Sequence, residues 1–354
     1  MLRQLARLGR SVPFAGGRAL AVAVYADGLD EPIHAQEAGY EGVACVDDAA
    51  RALELYCDLW DATRLPWALR WCEGLVDFVL AMQEADGRWL NFILDWEGTP
   101  NRGGRTSIAG GAFWQARAVL ALARASEVLN DVRIDAALRR GLPHIRAAGA
   151  VPADVRALHI RTALALSNGA DDHGLLALIP AWGDELLRSR AGDVLMNSPD
   201  ERGRPHLWGH IQEGVLADAG ARLGRGDFLA SARRSAELVF SEVVKSGFDL
   251  PRVQAYDVAS VIFALMRLAE VTGAPGYAAL ASASQAWFDG RNPAGQGVYD
   301  RRTGRVGDGI DNGRVSSNSG AEANIVAAQA LFDSAATLAR RLTSSEALPA
   351  SLGI

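Results

Sequence analysis

From about residue 47 onward, apolar residues recur at the three-to-four-residue spacing of helices that bury one face. The period predicts helices over Asp47 to Trp60, Pro66 to Glu84, Ile108 to Val128, Ile134 to Ala148, Pro152 to Ser167 and His173 to Ala191. It continues through Ile211 to Leu223, Phe228 to Lys245, Val253 to Val271, Tyr277 to Phe288 and Ser319 to Leu342. Some segments, such as Gly111 to Ala123, are apolar almost all the way round and belong in an inner layer packed on two sides. Others, such as Asp135 to Ala147 with Arg139, Arg140 and Arg146, carry a wet face and belong outside. About eleven to twelve helices that alternate inner and outer predict an all-α (α/α)6 barrel, or toroid. An open helical solenoid is the rival, but no fixed-period repeat supports it.

The remaining stretches divide by character. Residues 1–38 read as an irregular N-terminal segment, with a short strand over Arg18 to Tyr25 and a turn at Asp27-Gly28. Residues 343–354 read as a disordered tail, and 1–354 as a single domain. Three connections are long and rich in Gly, Asn, Asp and Trp: Asp86 to Ser107, Asn197 to His210 and Asp289 to Asn318. Loops of that length in a compact domain usually carry function. They are expected to be ordered and gathered over one mouth of the ring.

Composition narrows the class. The chain has 354 residues, 49% hydrophobic and 22% charged, which suffices for a large core and gives no case for disorder. A net charge of −6, with no basic block, argues against nucleic acid and anionic membranes as partners. No stretch approaches the apolar length of a membrane span. The three cysteines, Cys45, Cys57 and Cys72, lie in apolar patterns without metal-ligand spacing. Buried reduced thiols, a cytoplasmic location, no metal and no cofactor are therefore expected. A homo-oligomer is allowed for. No phosphate-binding glycine loop, HExxH or GxSxG motif is present.

The chemistry concentrates first at Gly39 to Leu53, where Asp47-Asp48 opens a helix and Arg51 follows one turn later. One Asp at a helix start is explained by capping; two are more than a cap needs. The second can face a cleft, with Arg51 pinning one of the pair.

Three stretches together resemble a known family. Gly39-Tyr40 followed by Asp47-Asp48-Ala49-Ala50-Arg51-Ala52-Leu53 is similar to the GY..TDDNARAL motif of the α-toroid domain attached to some bacterial glycosyltransferases. Asp86 to Asp95 is similar to its DGRFHNFMSYD segment. Trp287 to Asn292, Val298 to Asp300, Thr303-Gly304, Asp308-Gly309 and Asn318 to Glu322 resemble its WFLGNN…VYD..TG…DGL…NQGAES ending. The resemblance runs from about residue 39 to 335 and implies a toroid of the six-hairpin glycosidase superfamily, which includes hydrolases, lyases and epimerases. The chain departs from the pattern at Ala50, which replaces an Asn, and at Ile108 to Ala112, which stands where SEDSHGRA is expected. It is expected to act as a free-standing toroid.

The resemblance also implies roles. In toroidal inverting glycosidases such as glycoside hydrolase family nine, an Asp at an early inner helix is the base and a Glu opening the last helix is the acid. Asp47 or Asp48 (Asp48 being favoured) and Glu322 hold similar places here. Glu322 also fits a capping arrangement. Gln254 to Asp257 resembles the family's QPIEA segment, which makes Asp257 a further acid or base and Tyr256 a neighbour of substrate. From the residues themselves, Asp95 and Glu97 beside Trp89 and Trp96 suit a sugar ring, as do Trp208, His210 and Glu213 at another helix start. Arg51, Asn91, Asp311 and Asn318 complete the candidate binding set; Asx turns explain Asp308, Asp311 and Asn312 equally well. The leading expectation is a glycoside hydrolase acting on an oligosaccharide or polysaccharide. A sugar epimerase or lyase using His210 or Tyr256 is the alternative, with a non-catalytic saccharide-binding toroid as the third.

Overall fold

The computed structural model describes residues 1–26, 41–167, 174–198 and 200–342. Gly39-Tyr40 of the first motif, the Asp27-Gly28 turn and the 343–354 tail lie outside the described residues. Contacts group the chain into two compact units. One holds Met1–Gly149, Asp300–Gly307 and the chain from Ser317; the other holds Ala150–Tyr299 and Asp308–Ser316.

In the first unit a short helix, α1 (Leu2–Leu8), precedes an antiparallel hairpin of Gly9–Phe14 and Gly17–Val22. These elements occupy much of the stretch expected to be irregular. Two helical hairpins follow, α2 (Val46–Thr63) with α3 (Pro66–Ala81) and α4 (Ala112–Val128) with α5 (Val132–Arg146), and near its C-terminal end the unit adds α12 (Ala321–Ala330) and α13 (Phe332–Arg341), which meet at Leu331. Helix α2 touches α3, α4, α12 and α13, and most of its residues are buried. In α4, Gln115 to Ala123 are buried without a break, whereas α5 buries only one stripe. That is the two-sided against one-sided contrast read from the sequence. The single helix expected over Ser319 to Leu342 is two. Leu331, at φ −113° and ψ 37°, leaves the helical region between α12 and α13.

The second unit contains three hairpins: α6 (Ala153–Leu166) with α7 (Ile179–Arg188), α8 (Gln212–Leu223) with α9 (Gly226–Lys245), and α10 (Ala255–Thr272) with α11 (Pro275–Gln285). Within it α8 packs on both α6 and α10, the role α2 plays in the first unit. Strand Gly309–Asp311 lies between Arg252–Gln254 and Arg314–Val315 and fixes the start of α10. No described helix is long and apolar enough to cross a membrane.

One backbone ladder in the first unit sets the geometry that matters most. Phe92–Ile93 pairs with Ala44–Cys45, Ala44 bridges Ala23, and Ala26 and Val24 accept from the N–H groups of Ser319 and Ala321. Four segments remote in sequence thus run side by side and bring the N-termini of α2 and α12 together. The approach is close enough to require glycine at two points. A Cβ on Gly42 would lie 2.2 Å from the Ile93 carbonyl oxygen, and one on Gly320 would lie 2.0 Å from that of Val24.

Candidate active site

The first turn of α2 is capped without help from either aspartate. Val46 N–H donates to the Asn91 carbonyl, Asp47 N–H to Asn91 Oδ1, and Asp48 N–H to Cys45 Sγ at 3.4 Å. The N-cap residue is Cys45, so the reading of one Asp as the cap is corrected. Its thiol, buried beside two carboxyls, is pushed well above its ordinary pKa and stays protonated. All three cysteines are free and buried.

With the cap supplied elsewhere, both carboxyls turn to arginine. Arg51 donates from Nη1 to Asp48 Oδ1 at 2.7 Å and from Nη2 to Asp47 Oδ2 at 3.1 Å. The same Nη2 lies 3.0 Å from Glu322 Oε2 in the first turn of α12. Arg117, from the middle of α4, meets Asp47 Oδ2 at 2.6 Å. One guanidinium therefore joins three carboxyls, and a second reinforces one of them. Exposure grades the acids: the side chain is 5% exposed in Asp48, 22% in Asp47 and 40% in Glu322. Asp47, rather than the favoured Asp48, is the more open of the pair. Burial pushes the Asp48 carboxyl up to about 7; Arg51 opposes that rise, and the negative neighbours Glu322 and Asp47 add to it. Burial raises Asp47 as well, against Arg51. Asp47 Oδ1 is buried with no hydrogen-bond partner among the described residues.

Around this cluster the loop Asp86 to Ser107 does structural duty. Asn91 holds α2 by its carbonyl and Oδ1 while its Nδ2 donates to Thr106 O. Asn318 Oδ1 accepts from Ala26 N–H and so belongs to the ladder. Trp89, expected to face a sugar, is fully buried: its Nε1 donates to Val79 O, and its ring abuts Gly141 of α5. That expectation is corrected, because an indole whose N–H reaches a core carbonyl pays no desolvation cost inside. Asp95 closes a turn by accepting from the N–H groups of Glu97 and Thr99, and Trp96 beside it is half-buried.

The other candidates lie in the second unit and are not one group. His210 and Glu213 are fully buried at the start of α8. His210 Nδ1 contacts Asn197 Oδ1 at 2.8 Å and its Nε2 contacts Glu213 Oε1 at 3.0 Å. Asn197 Oδ1 also accepts from Gln212 Nε2, and Glu213 Oε1 accepts from Ser235 Oγ at 2.6 Å. Glu213 Oε2 and Gln212 Oε1 have no hydrogen-bond partner among the described residues. Trp208 is 38% exposed and stacks on His206, ring centroids 4.2 Å apart. Tyr256 is half-buried, its hydroxyl 3.1 Å from where a Cβ on Gly209 would stand. Asp257 is the N3 partner of a capping box, accepting the Gln254 N–H at 2.6 Å. That hydrogen bond commits one oxygen of Asp257 to the helix end, the duty of a capping carboxylate. Asp311 is exposed and bonds Asn312, which sits at φ 47° in a tight turn.

Arg117, Asn197 and Ser235 were missed in the sequence. Arg117 left a usable signal, because a charged residue midway along a helix apolar all round must find a buried partner. Asn197 and Ser235 left none, being ordinary residues of a loop and of a helix surface.

In sequence, no family model and no curated protein matches the chain. In structure it is similar to a cellobiose 2-epimerase from Bacillus thermoamylovorans B4167, with TM-score 0.72, 11% identity, and 97% of this chain and 96% of that one covered. It is also similar to a D-mannose isomerase, with TM-score 0.70, 9% identity and 96% of both chains covered. A family 76 glycoside hydrolase from a bovine Bacteroides thetaiotaomicron strain matches with TM-score 0.65, 11% identity, and 93% of this chain and 76% of that one covered. Mostly helical, with only short strands among the described residues, the chain has the (α/α)6 toroid fold.

Proposed function

We propose that the chain is a carbohydrate-active enzyme, a glycoside hydrolase whose acid and base come from the Asp47, Asp48 and Glu322 cluster. The observation that carries this reading is Arg51, which binds all three carboxyls while one of them titrates near neutrality. Asp48, lifted by burial to about 7, lets the cluster hold a proton near neutral pH, as general acid catalysis requires. Glu322, the most exposed of the three, is assigned as the acid toward the glycosidic oxygen. Asp47, whose side chain is 22% exposed, offers its carboxylate to the anomeric carbon or to the water that replaces the leaving sugar. Asp47 Oδ2 and Glu322 Oε2 both lie near Arg51 Nη2, so they stand no more than about 6 Å apart. The likeness to a cellobiose 2-epimerase, a D-mannose isomerase and a family 76 glycoside hydrolase supports a saccharide as the substrate class.

A second reading, epimerisation, is favoured by His210. Its Nδ1 faces an amide oxygen that already accepts from Gln212, and its Nε2 faces the Glu213 carboxyl, so the imidazole and the carboxyl form a buried hydrogen-bonded pair. The epimerase and isomerase names among the structural neighbours agree with it. Asp47→Asn and Glu322→Gln, assayed on an oligosaccharide panel in ¹⁸O-water and in D₂O, separate the two. Hydrolysis through the cluster predicts ¹⁸O in the product and a loss of about 10²-fold or more in either variant. Wild-type rates in either variant overturn the assigned role. Deuterium at a sugar carbon without ¹⁸O gain selects epimerisation.

A further inference from the structure

We propose that Arg117 is a positioning residue that keeps Asp47 ionised and thereby leaves the proton of the cluster to Asp48. This deepens the acid and base reading above and rests on it.

The geometry is specific. Arg117 reaches Asp47 Oδ2 from α4 at 2.6 Å, closer than Arg51 Nη2, which divides itself between Asp47 and Glu322. Its side chain is 4% exposed, so the interaction is poorly screened. The charged groups that contact Asp47 among the described residues are Arg51 from its own helix and Arg117 from α4. Asp48 on α2 and Glu322 on α12 meet the same Arg51, the Cys45 thiol precedes the helix, and Glu54 is buried one turn beyond Arg51. Burial alone favours a protonated Asp47. With both Asp47 and Asp48 protonated, neither carboxylate remains beside Glu322 to act as base or nucleophile. Arg117 is placed to prevent that, because two guanidiniums converge on the one oxygen Oδ2 of Asp47 while Asp48 has Arg51. A guanidinium that only anchored α4 to α2 would stabilise the fold without deciding which carboxyl holds the proton.

The test is the pH dependence of urea unfolding in the wild type, Arg117→Met, Arg117→Lys and the double variant Asp47→Asn/Arg117→Met. Without Arg117, Asp47 takes up a proton in the folded state, and unfolding releases it as pH rises. The unfolding constant of Arg117→Met should then climb between pH 5 and 8 by up to tenfold more per pH unit than in the wild type. Arg117→Lys, which keeps the charge, should follow the wild type, and Asp47→Asn in the Met background should remove the extra slope. Parallel profiles for wild type and Arg117→Met, or equal slopes for the Lys and Met variants, overturn the proposal. Should Arg117→Met fail to fold, Arg117→Gln replaces it in the same comparison. The measurement needs no substrate, so it stands whether or not the cluster proves catalytic. Where a saccharide is cleaved, the acid limb of kcat/KM should move upward in the Met variant alone, and an unmoved limb also overturns the proposal.

Discussion

Asp48→Asn tests the central electrostatic feature of the site. The substitution keeps the shape of the side chain and removes its titration. In the folded chain burial lifts Asp48 from an ordinary carboxylate value of 3.8 to about 7, against the pull of Arg51. A raised folded-state pKa means that the unfolded chain gives up the proton first. The stability associated with Asp48 is therefore complete below about pH 4, declines as pH rises, and is fully lost above about 7. The whole span is worth about 4 kcal/mol, of which about 2–3 kcal/mol falls between pH 5 and 8. Relative to the wild type, Asp48→Asn should gain that amount from pH 5 to pH 8, whatever its offset at pH 5 from the altered contact with Arg51. Urea unfolding followed by far-UV circular dichroism at the two pH values measures the difference, and titrating groups outside the cluster cancel. A gap between variant and wild type that stays constant across this window would refute the reasoning, since it would mean that Asp48 is ionised throughout.

Three further outcomes follow from the structure. Asn91→Ala removes the hydrogen bonds from Asp47 N–H and to Thr106 O and should cost about 1–2 kcal/mol in urea unfolding. Gly320→Ala drives a methyl into the Val24 carbonyl at the start of α12; it should lower stability by about 1–3 kcal/mol and perturb Glu322, so that activity falls even at temperatures where the variant is folded. Trp89→Ala should destabilise by about 3–5 kcal/mol without altering KM in the surviving folded protein, whereas Trp96→Ala should be thermodynamically mild and act, if on anything, on KM.

The sequence carried the fold well because helical burial has a period. The contrast between Gly111 to Ala123 and Asp135 to Ala147 announces which helix is packed on two sides, and the structure keeps it. The break at Leu331 left no mark, since neither Gly nor Pro stands there. Helix α1 is too short for its periodicity to be seen. At the site, the grouping of Asp47, Asp48, Arg51 and Glu322 was legible from the order of motifs. The cap was not: Cys45 and Asn91 take that duty because a strand pairing, invisible locally, lays residues 91–93 beside 43–45. Trp89 was misplaced for a related reason, as a loop position says nothing about which way an indole turns. The capping duty of Asp257 was not legible either, because a capping carboxylate and a catalytic one share the first turn of a helix.

The ladder that joins Ala26 to Asn318 has a consequence for how the protein becomes active. Its partners are 292 residues apart, and closing a loop of that size costs ~5 kcal/mol of chain entropy, to be repaid by contacts made at the same moment. Contacts of such long range form slowly. During synthesis α2 emerges early, carrying Asp47, Asp48 and Arg51, and then waits for nearly all the remaining chain before Glu322 can join it. The cluster is thus a late product of folding, and a nascent or C-terminally cleaved chain holds its aspartates and arginines without the carboxylate that completes the set.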